Sequence, residues 1–239
     1  MTQANITYLF HSGYSVETAT RFLVFDYYQP SENLQFLTSR SFQTTPPAWV
    51  FASHSHGDHF DPVIFSWDSP ENPITYVLSD DVFPKRIPPG HRCHVLKEGE
   101  SLSQDGLVIT AYGSSDLGLS FLVEADGLRL FHAGDLNWWH WKGETPSEQA
   151  YAKNLFHEKM AALRGQQIDI AFFPVDRRLE EFHSLGAETF AKEIKPTWLL
   201  PMHFGKDVEA SRLFAAKAAE LGIKTKVIEH ANQRFEITL

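Results

Sequence analysis

The apolar run Ala48-Trp49-Val50-Phe51-Ala52 passes directly into Ser53-His54-Ser55-His56-Gly57-Asp58-His59-Phe60. No other stretch limits the possible folds as tightly. An apolar run of this length reads as a buried strand, so the histidines sit where that strand ends. His54 and His56 are two apart and project to the same side of extended chain. Gly57 permits a backbone reversal that residues with a Cβ resist. The turn can carry Asp58 and His59 to a second position about 3.5–4 Å from the first, the separation used by two-metal hydrolytic sites. Neutral imidazole plus carboxylate is a donor set suited to zinc. The alternative is a polar turn that happens to be rich in histidine.

Two later segments extend the pattern. Phe131-His132-Ala133-Gly134-Asp135 and Pro201-Met202-His203-Phe204-Gly205 each place a metal-binding residue type after an apolar run. Taken in order with His54-x-His56-x-Asp58-His59, they resemble the motifs of the metallo-β-lactamase-fold hydrolases, and they span most of the chain. Among these, the sequence is most similar to the small stand-alone hydrolases that include ascorbate-phosphate lactonase-like proteins. The resemblance implies a single domain over residues 1–239, of α+β class, folded as a four-layer αββα sandwich. It implies that His54 and His56 bind a first divalent ion and that Asp58, His59 and His203 bind a second, with Asp135 between them. Zn²⁺ is the expected metal, with Mn²⁺ or Fe²⁺ as alternatives, and the first site is expected to be the weaker.

That weakness comes from a departure. The family has a further histidine ligand upstream of the bridging aspartate, whereas this chain reads Ala111-Tyr112-Gly113-Ser114-Ser115-Asp116-Leu117-Gly118. Ser115 has the better spacing and Asp116 the better chemistry, since a carboxylate is an ordinary hard ligand and a hydroxyl binds zinc weakly. Ser-Ser-Asp also builds turns well, so a ligand role and a turn role for Asp116 both stand. His132 lies within an apolar strand and reads as a packed histidine.

Composition is consistent with this reading. A hydrophobic content of 43% in 239 residues suffices for a sizeable core, and no linker, repeat or charge block divides the chain. The formal net charge of −9 argues against a general nucleic-acid surface. Cys93 stands alone, so no disulfide forms within the chain. The start lacks a basic segment followed by an apolar one, and no stretch approaches membrane-spanning length. The expectation is a soluble cytoplasmic protein acting on a small molecule, without nucleic-acid or membrane partners; its oligomeric state is open.

Periodicity predicts strands at residues 6–10, 14–17, 21–25, 49–52, 74–78, 108–112, 120–124, 129–131, 168–175 and 197–200. Asp126-Gly127 marks a two-residue hairpin. Helices are predicted from the Thr145-Pro146-Ser147-Glu148 capping box to Gly165, from Ser184 to before Pro196, and from Asp207 to Gly222. Pattern alone gives a mixed α and β domain whose proposed ligands all follow strand ends. Ligands so far apart in the chain meet only if those ends share one edge.

A dication lowers the pKa of bound water from about 15.7 toward 7 and so supplies hydroxide at neutral pH. Asp58 is the candidate to orient that hydroxide, and His183, at a helix start, is the candidate acid for the leaving group. A solvated loop histidine is the alternative for His183. Lys206 is a weaker candidate for steadying an anionic substrate. His11 and Asp176 are weaker candidates, Asp176 being otherwise a partner for a neighbouring arginine or the cap of a loop. Trp138-Trp139-His140-Trp141 reads either as a wall of the substrate pocket or as a plug under the next helix. Esters, lactones and phosphodiesters all suit such a centre. A di-iron redox protein on the same scaffold and a non-catalytic metal-stabilised module are the competing classes.

Overall fold

Strand β4 (Ala48–Ala52) is buried along its whole length, and the fold is arranged around it. A computed structural model describes residues 2–31, 36–43, 45–82 and 86–239. In the first sheet β1 (Gln3–Phe10), β2 (Gly13–Glu17), β3 (Phe22–Phe25), β4, β5 (Ile74–Ser79) and β6 (Arg92–Leu96) lie side by side in chain order. The second sheet runs β7 (Ser101–Gln104), β8 (Leu107–Gly113), β9 (Leu119–Ala125), β10 (Leu128–His132), β11 (Ile170–Pro174) and β12 (Trp198–Met202). The last strand, β13 (Gln233–Thr238), returns to pair antiparallel with β1. Strands β3 to β6 are mutually parallel, as are β10 to β12. Parallel strands are covered on both faces, which is why β4, β5 and β11 are nearly continuous in apolar residues.

The main core lies between the sheets, where Phe25, Phe51, Phe121 and Phe172 meet. Helices α1 (Pro146–Ala161), α2 (Leu185–Ile194) and α3 (Glu209–Glu220) cover the outer face of the second sheet through Phe156, Phe190 and Phe214. A separate apolar cluster covers the outer face of the first sheet. There, among the described residues, the outer layer consists of two 3₁₀ helices, Ser39–Phe42 and Pro62–Trp67, which contribute Phe42, Ile64, Phe65 and Trp67. The four layers implied by the resemblance are present, with this outer layer built from short turns. No described helix is long and apolar enough to cross a membrane.

Local signals explain most boundaries. Thr145 and Glu148 form the reciprocal capping box at the start of α1, with proline in its first turn. Asp126 and Gly127 both have positive φ, as a type I′ hairpin turn requires. Asp207 differs from expectation: α3 starts at Glu209 after Val208, and the Asp207 carboxylate is held by Arg177 Nη1 at 2.8 and 3.0 Å. Strands β6, β7 and β13 had no counterpart in the sequence reading. All three lie at sheet edges, and each exposes two or three of its residues.

Candidate metal centre

Six strands deliver the centre. His11, Asp26, His54, Asp135, Asp176 and His203 each lie one to three residues beyond the ends of β1, β3, β4, β10, β11 and β12. Two glycines let the sheets close on one another there. A Cβ at Gly118 would collide with Ser53 O and His54 Cβ, and one at Gly134 would meet Leu119 O at 2.6 Å. Both have positive φ, so any other residue at either position would be both strained and clashing.

Seven side chains gather in two groups, His54, His56 and Asp135 in one and His11, Asp58, His59 and His203 in the other. Within each group the ligand atoms lie within 4.8 Å of one another. The structure therefore brings together six residues singled out in the sequence: His54, His56, Asp58, His59, Asp135 and His203. It adds His11, a weaker candidate there.

Hydrogen bonding sets the direction of the imidazole lone pairs. Nδ1 of His59 lies 2.7 Å from Asp26 Oδ2, and Nδ1 of His203 lies 3.0 Å from Asp176 Oδ2. A carboxylate only accepts, so both Nδ1 atoms carry the proton and both Nε2 atoms present lone pairs. Ser53 Oγ donates its one hydrogen to Asp26 Oδ2 at 2.6 Å. It therefore accepts from His54 Nδ1 at 2.9 Å, and His54 Nε2 is a lone pair too. All three converge on Asp135: His54 Nε2 at 3.4 Å from Oδ2, and His59 and His203 Nε2 at 3.2 and 3.3 Å from Oδ1. His59 Nε2 and Asp135 Oδ1 are buried without a hydrogen-bond partner.

His54 Nε2 can accept from His56 Nδ1 at 3.0 Å, but the contacts of His59 and His203 with Asp135 are acceptor-to-acceptor and unfavourable in a buried site unless a cation lies among them. Burial, then the nearby Asp116, Asp26 and Asp58, push the Asp135 carboxyl well above its usual range in the metal-free chain. One proton on Asp135 satisfies one of these contacts, whereas a dication in each group satisfies them all. Burial likewise lowers the imidazoles, His54 to about 4 and His59 and His203 below the ordinary value. They are neutral and ready to ligate. The donors fit a pair of divalent ions.

The remaining candidates separate clearly. Asp58 has its carboxyl held well below the usual range, chiefly by the His11 imidazole 3.3 Å away, against the opposing effect of burial. For Asp176 burial acts upward, but hydrogen bonds from His203 and Arg178 outweigh it and hold the carboxyl down. Asp116 is exposed and lines the cleft above Asp135 without joining either group. Ser115 donates to Asn137 O at 2.6 Å and accepts from Asn137 N at 2.9 Å, bracing the segment after Asp135. His132 is packed, its Nε2 on Ser12 O at 2.8 Å and its ring stacked on Phe25.

His183 does not line the cleft. Its Nδ1 rests on Glu180 O at 3.0 Å, so the structure does not bring the candidate acid to the centre. Arg178 stands in the cleft wall instead. The tryptophan cluster divides between its two possible roles. Trp138 packs on Phe156, while Trp139 and Trp141 line a cavity of about 610 Å³ above the centre. Asp26 had drawn no attention in the sequence. Its signal is position, immediately after the apolar run Phe22–Phe25.

The profile described as a β-lactamase superfamily domain matches residues 5–203. No curated protein matches the sequence. Among solved structures, the metallo hydrolase Igni18 of Ignicoccus hospitalis is similar at 16% identity and a TM-score of 0.71, with 99% of each chain covered. The metallo-β-lactamase-fold protein YhfI of Bacillus subtilis is similar at 13% identity and a TM-score of 0.67, covering 99% of this chain and 100% of that one. CmlA of Streptomyces venezuelae, a diiron β-hydroxylase, is similar at 14% identity and a TM-score of 0.62. The alignment with CmlA covers 99% of this chain and 54% of that one. At these identities the three show a shared fold.

Proposed function

The chain belongs to the β-lactamase superfamily domain family, and on that premise we propose that it is a metal-dependent hydrolase of a small ester, lactone or phosphodiester. One observation carries the reading. Three imidazole lone pairs face the two oxygens of Asp135 within 3.4 Å, an arrangement suited to ligands around cations. His54, His56 and Asp135 would hold one ion; His11, Asp58, His59 and His203 would hold the other, with Asp135 between. Zinc is the metal best suited to so many imidazoles. When bound, such a pair acidifies water and polarises a carbonyl or phosphoryl oxygen.

The chain's own groups do the rest. Asp58 remains ionised and keeps an acceptor oxygen at the cleft floor, where it orients the attacking water. Trp139 Nε1 donates to Asp135 O at 3.0 Å and fixes the loop that carries the central carboxylate. Arg178 brings a guanidinium to the cleft wall, suited to the negative charge that develops on a carbonyl or phosphoryl oxygen.

Reconstituting the protein with zinc and screening esters, lactones and phosphodiesters tests the reading. His59→Ala and His203→Ala should each lose one metal equivalent and most hydrolysis. Unchanged metal in both variants would overturn it. A second reading, a di-iron redox centre, draws on the fold shared with the diiron hydroxylase CmlA and on the carboxylates Asp135 and Asp116 near the first group. Iron retained through purification, with no hydrolysis on the whole panel, would favour it.

A further inference from the structure

Two cavities flank the centre, and they share a wall. The first, of about 610 Å³, opens over Trp139, Trp141 and Tyr151; the second, of about 390 Å³, opens beside His11, Lys206 and Gly205. Arg178 and His203 line both. A ligand bound at the metal ligands can thus extend in two directions whose chemistry differs.

The first direction carries a flat aromatic wall. The Trp139 and Trp141 rings lie 6.1 Å apart and only 8° from parallel. Across the cavity α1 presents Glu148, Tyr151, Ala152 and Leu155, positions that share one helical face. Tyr151 is 68% exposed, so no described residue of the chain covers this face. Glu148 is committed to its cap at Thr145.

The second direction is cationic. Arg178 directs Nε and Nη2 to Asp176, a side chain only 3% exposed. The guanidinium is thereby pinned while 64% of the side chain remains exposed, and Nη1 has no hydrogen-bond partner among the described residues. A guanidinium fixed along one edge offers the other as a preset fork for a carboxylate or phosphoryl group. In the second cavity Arg177 is spent on Asp207, whereas no ion pair among the described residues engages Lys206. The acids Asp116 and Glu144 line the first cavity, and their charge disfavours an anion there.

We propose, resting on the hydrolase reading of this site, that the substrate straddles the centre. Its flat apolar group lies against Trp139, Trp141 and Tyr151, and its anionic group, carboxylate or phosphoryl, binds the open edge of Arg178 toward Lys206. Asp176 then has a double duty. It orients His203 and mounts the arginine that receives the substrate's charge.

Calorimetric titration of the metal-loaded protein with phenylphosphonate, benzoate, methylphosphonate and benzyl alcohol tests this without relying on turnover. Arg178→Met should weaken phenylphosphonate or benzoate by about tenfold or more, the worth of a charge-assisted hydrogen bond, and Lys206→Met should weaken it by less. Metal content should stay equal throughout, and benzyl alcohol should lose less affinity than the anions. Trp141→Ala should erase the preference for phenylphosphonate over methylphosphonate. Whichever of phenylphosphonate and benzoate depends more on Arg178 identifies the anion. Equal anion affinity in wild type, Arg178→Met and Lys206→Met would mean that the metals alone hold the anion, and would overturn the proposal. Charge-dependent binding with no hydrolysis of any ester would leave the subsite standing and remove the hydrolase reading.

Discussion

Asp26 holds His59 by a 2.7 Å contact between Oδ2 and Nδ1, and the same carboxylate accepts the backbone and hydroxyl hydrogens of Ser53 at 2.7 and 2.6 Å. Through Ser53 it also fixes His54. A single buried carboxylate that joins neither group of ligand atoms therefore sets the imidazole direction in both. Asp26→Asn retains the shape but can present an amide N–H where His59 needs an acceptor. Supporting carboxylates of this kind are typically worth about 10–100-fold in metal affinity, and both sites should weaken together. Competition with a chromophoric chelator measures this. Loss confined to one site would show that Ser53 does not couple them.

His11 has a φ of 54°, a left-handed conformation that costs a non-glycine residue about 1–2 kcal/mol. Its carbonyl accepts from His203 N at 2.9 Å, and its Nε2 lies 3.3 Å from Asp58 Oδ2. Strain maintained at such a place points to a role for the side chain. His11→Gly removes the strain and the imidazole together. The metal-free variant should melt no lower than the metal-free wild type, yet bind the second ion more weakly. Equal affinity in calorimetry would exclude His11 as a ligand.

The contrast between His54 and His11 shows what could be read in the sequence. His54, His56, Asp58 and His59 share one strand end and one turn, so their relative placement is local. Asp26 and His11 reach the centre only through sheet pairing, and no spacing along the chain encodes that. Both nevertheless follow directly on a strand, as His203 does. The edge strand β6 was hidden for a different reason. Arg92 and His94 interrupt its apolar residues, and its exposed positions, Arg92 and Val95, fall on opposite faces, so neither face carries an apolar run. Strands β4 and β11, covered on both faces, carry continuous apolar runs and were visible. Ser115 matched the family's spacing but serves as a backbone brace, a role that depends on the conformation of the Asn137 loop.

Asp126 joins the two sheets. Its carboxylate accepts from Thr18 Oγ1 at 2.6 Å, Thr20 N at 2.8 Å and Thr20 Oγ1 at 2.7 Å. Burial raises this carboxyl, but these bonds prevail and leave it below its model-compound value of 3.8. The unfolded chain therefore takes up the proton first as pH falls. The stabilisation is present above about pH 3.8 and is lost as pH drops through the lower folded value. Asp126→Asn should lower Tm by a few degrees at neutral pH, and the deficit should shrink in acid. A deficit independent of pH would mean that charge plays no part.

Asp116 and Ser115 sit side by side where the family resemblance implies a histidine, and the structure separates their roles. Ser115 makes two bonds to the Asn137 backbone, each worth about 0.5–1.5 kcal/mol. Ser115→Ala should thus lower Tm by about 2–4 °C for each kcal/mol lost while zinc stoichiometry stays the same. The Asp116 carboxylate is exposed at the cleft and pushes Asp135 upward through its charge. Removing it should leave Tm unchanged and weaken the ion held by His54, His56 and Asp135. If Asp116 supplies oxygen there, Mn²⁺ or Fe²⁺ should compete with zinc better at that site than at the imidazole-rich one. Asp116→His should swing the preference back toward zinc. Titrating zinc into metal-free wild type and Asp116→Ala decides the matter. Identical stoichiometry and affinity would leave Asp116 shaping only the turn, and the first ion would then be held by two imidazoles, Asp135 and water.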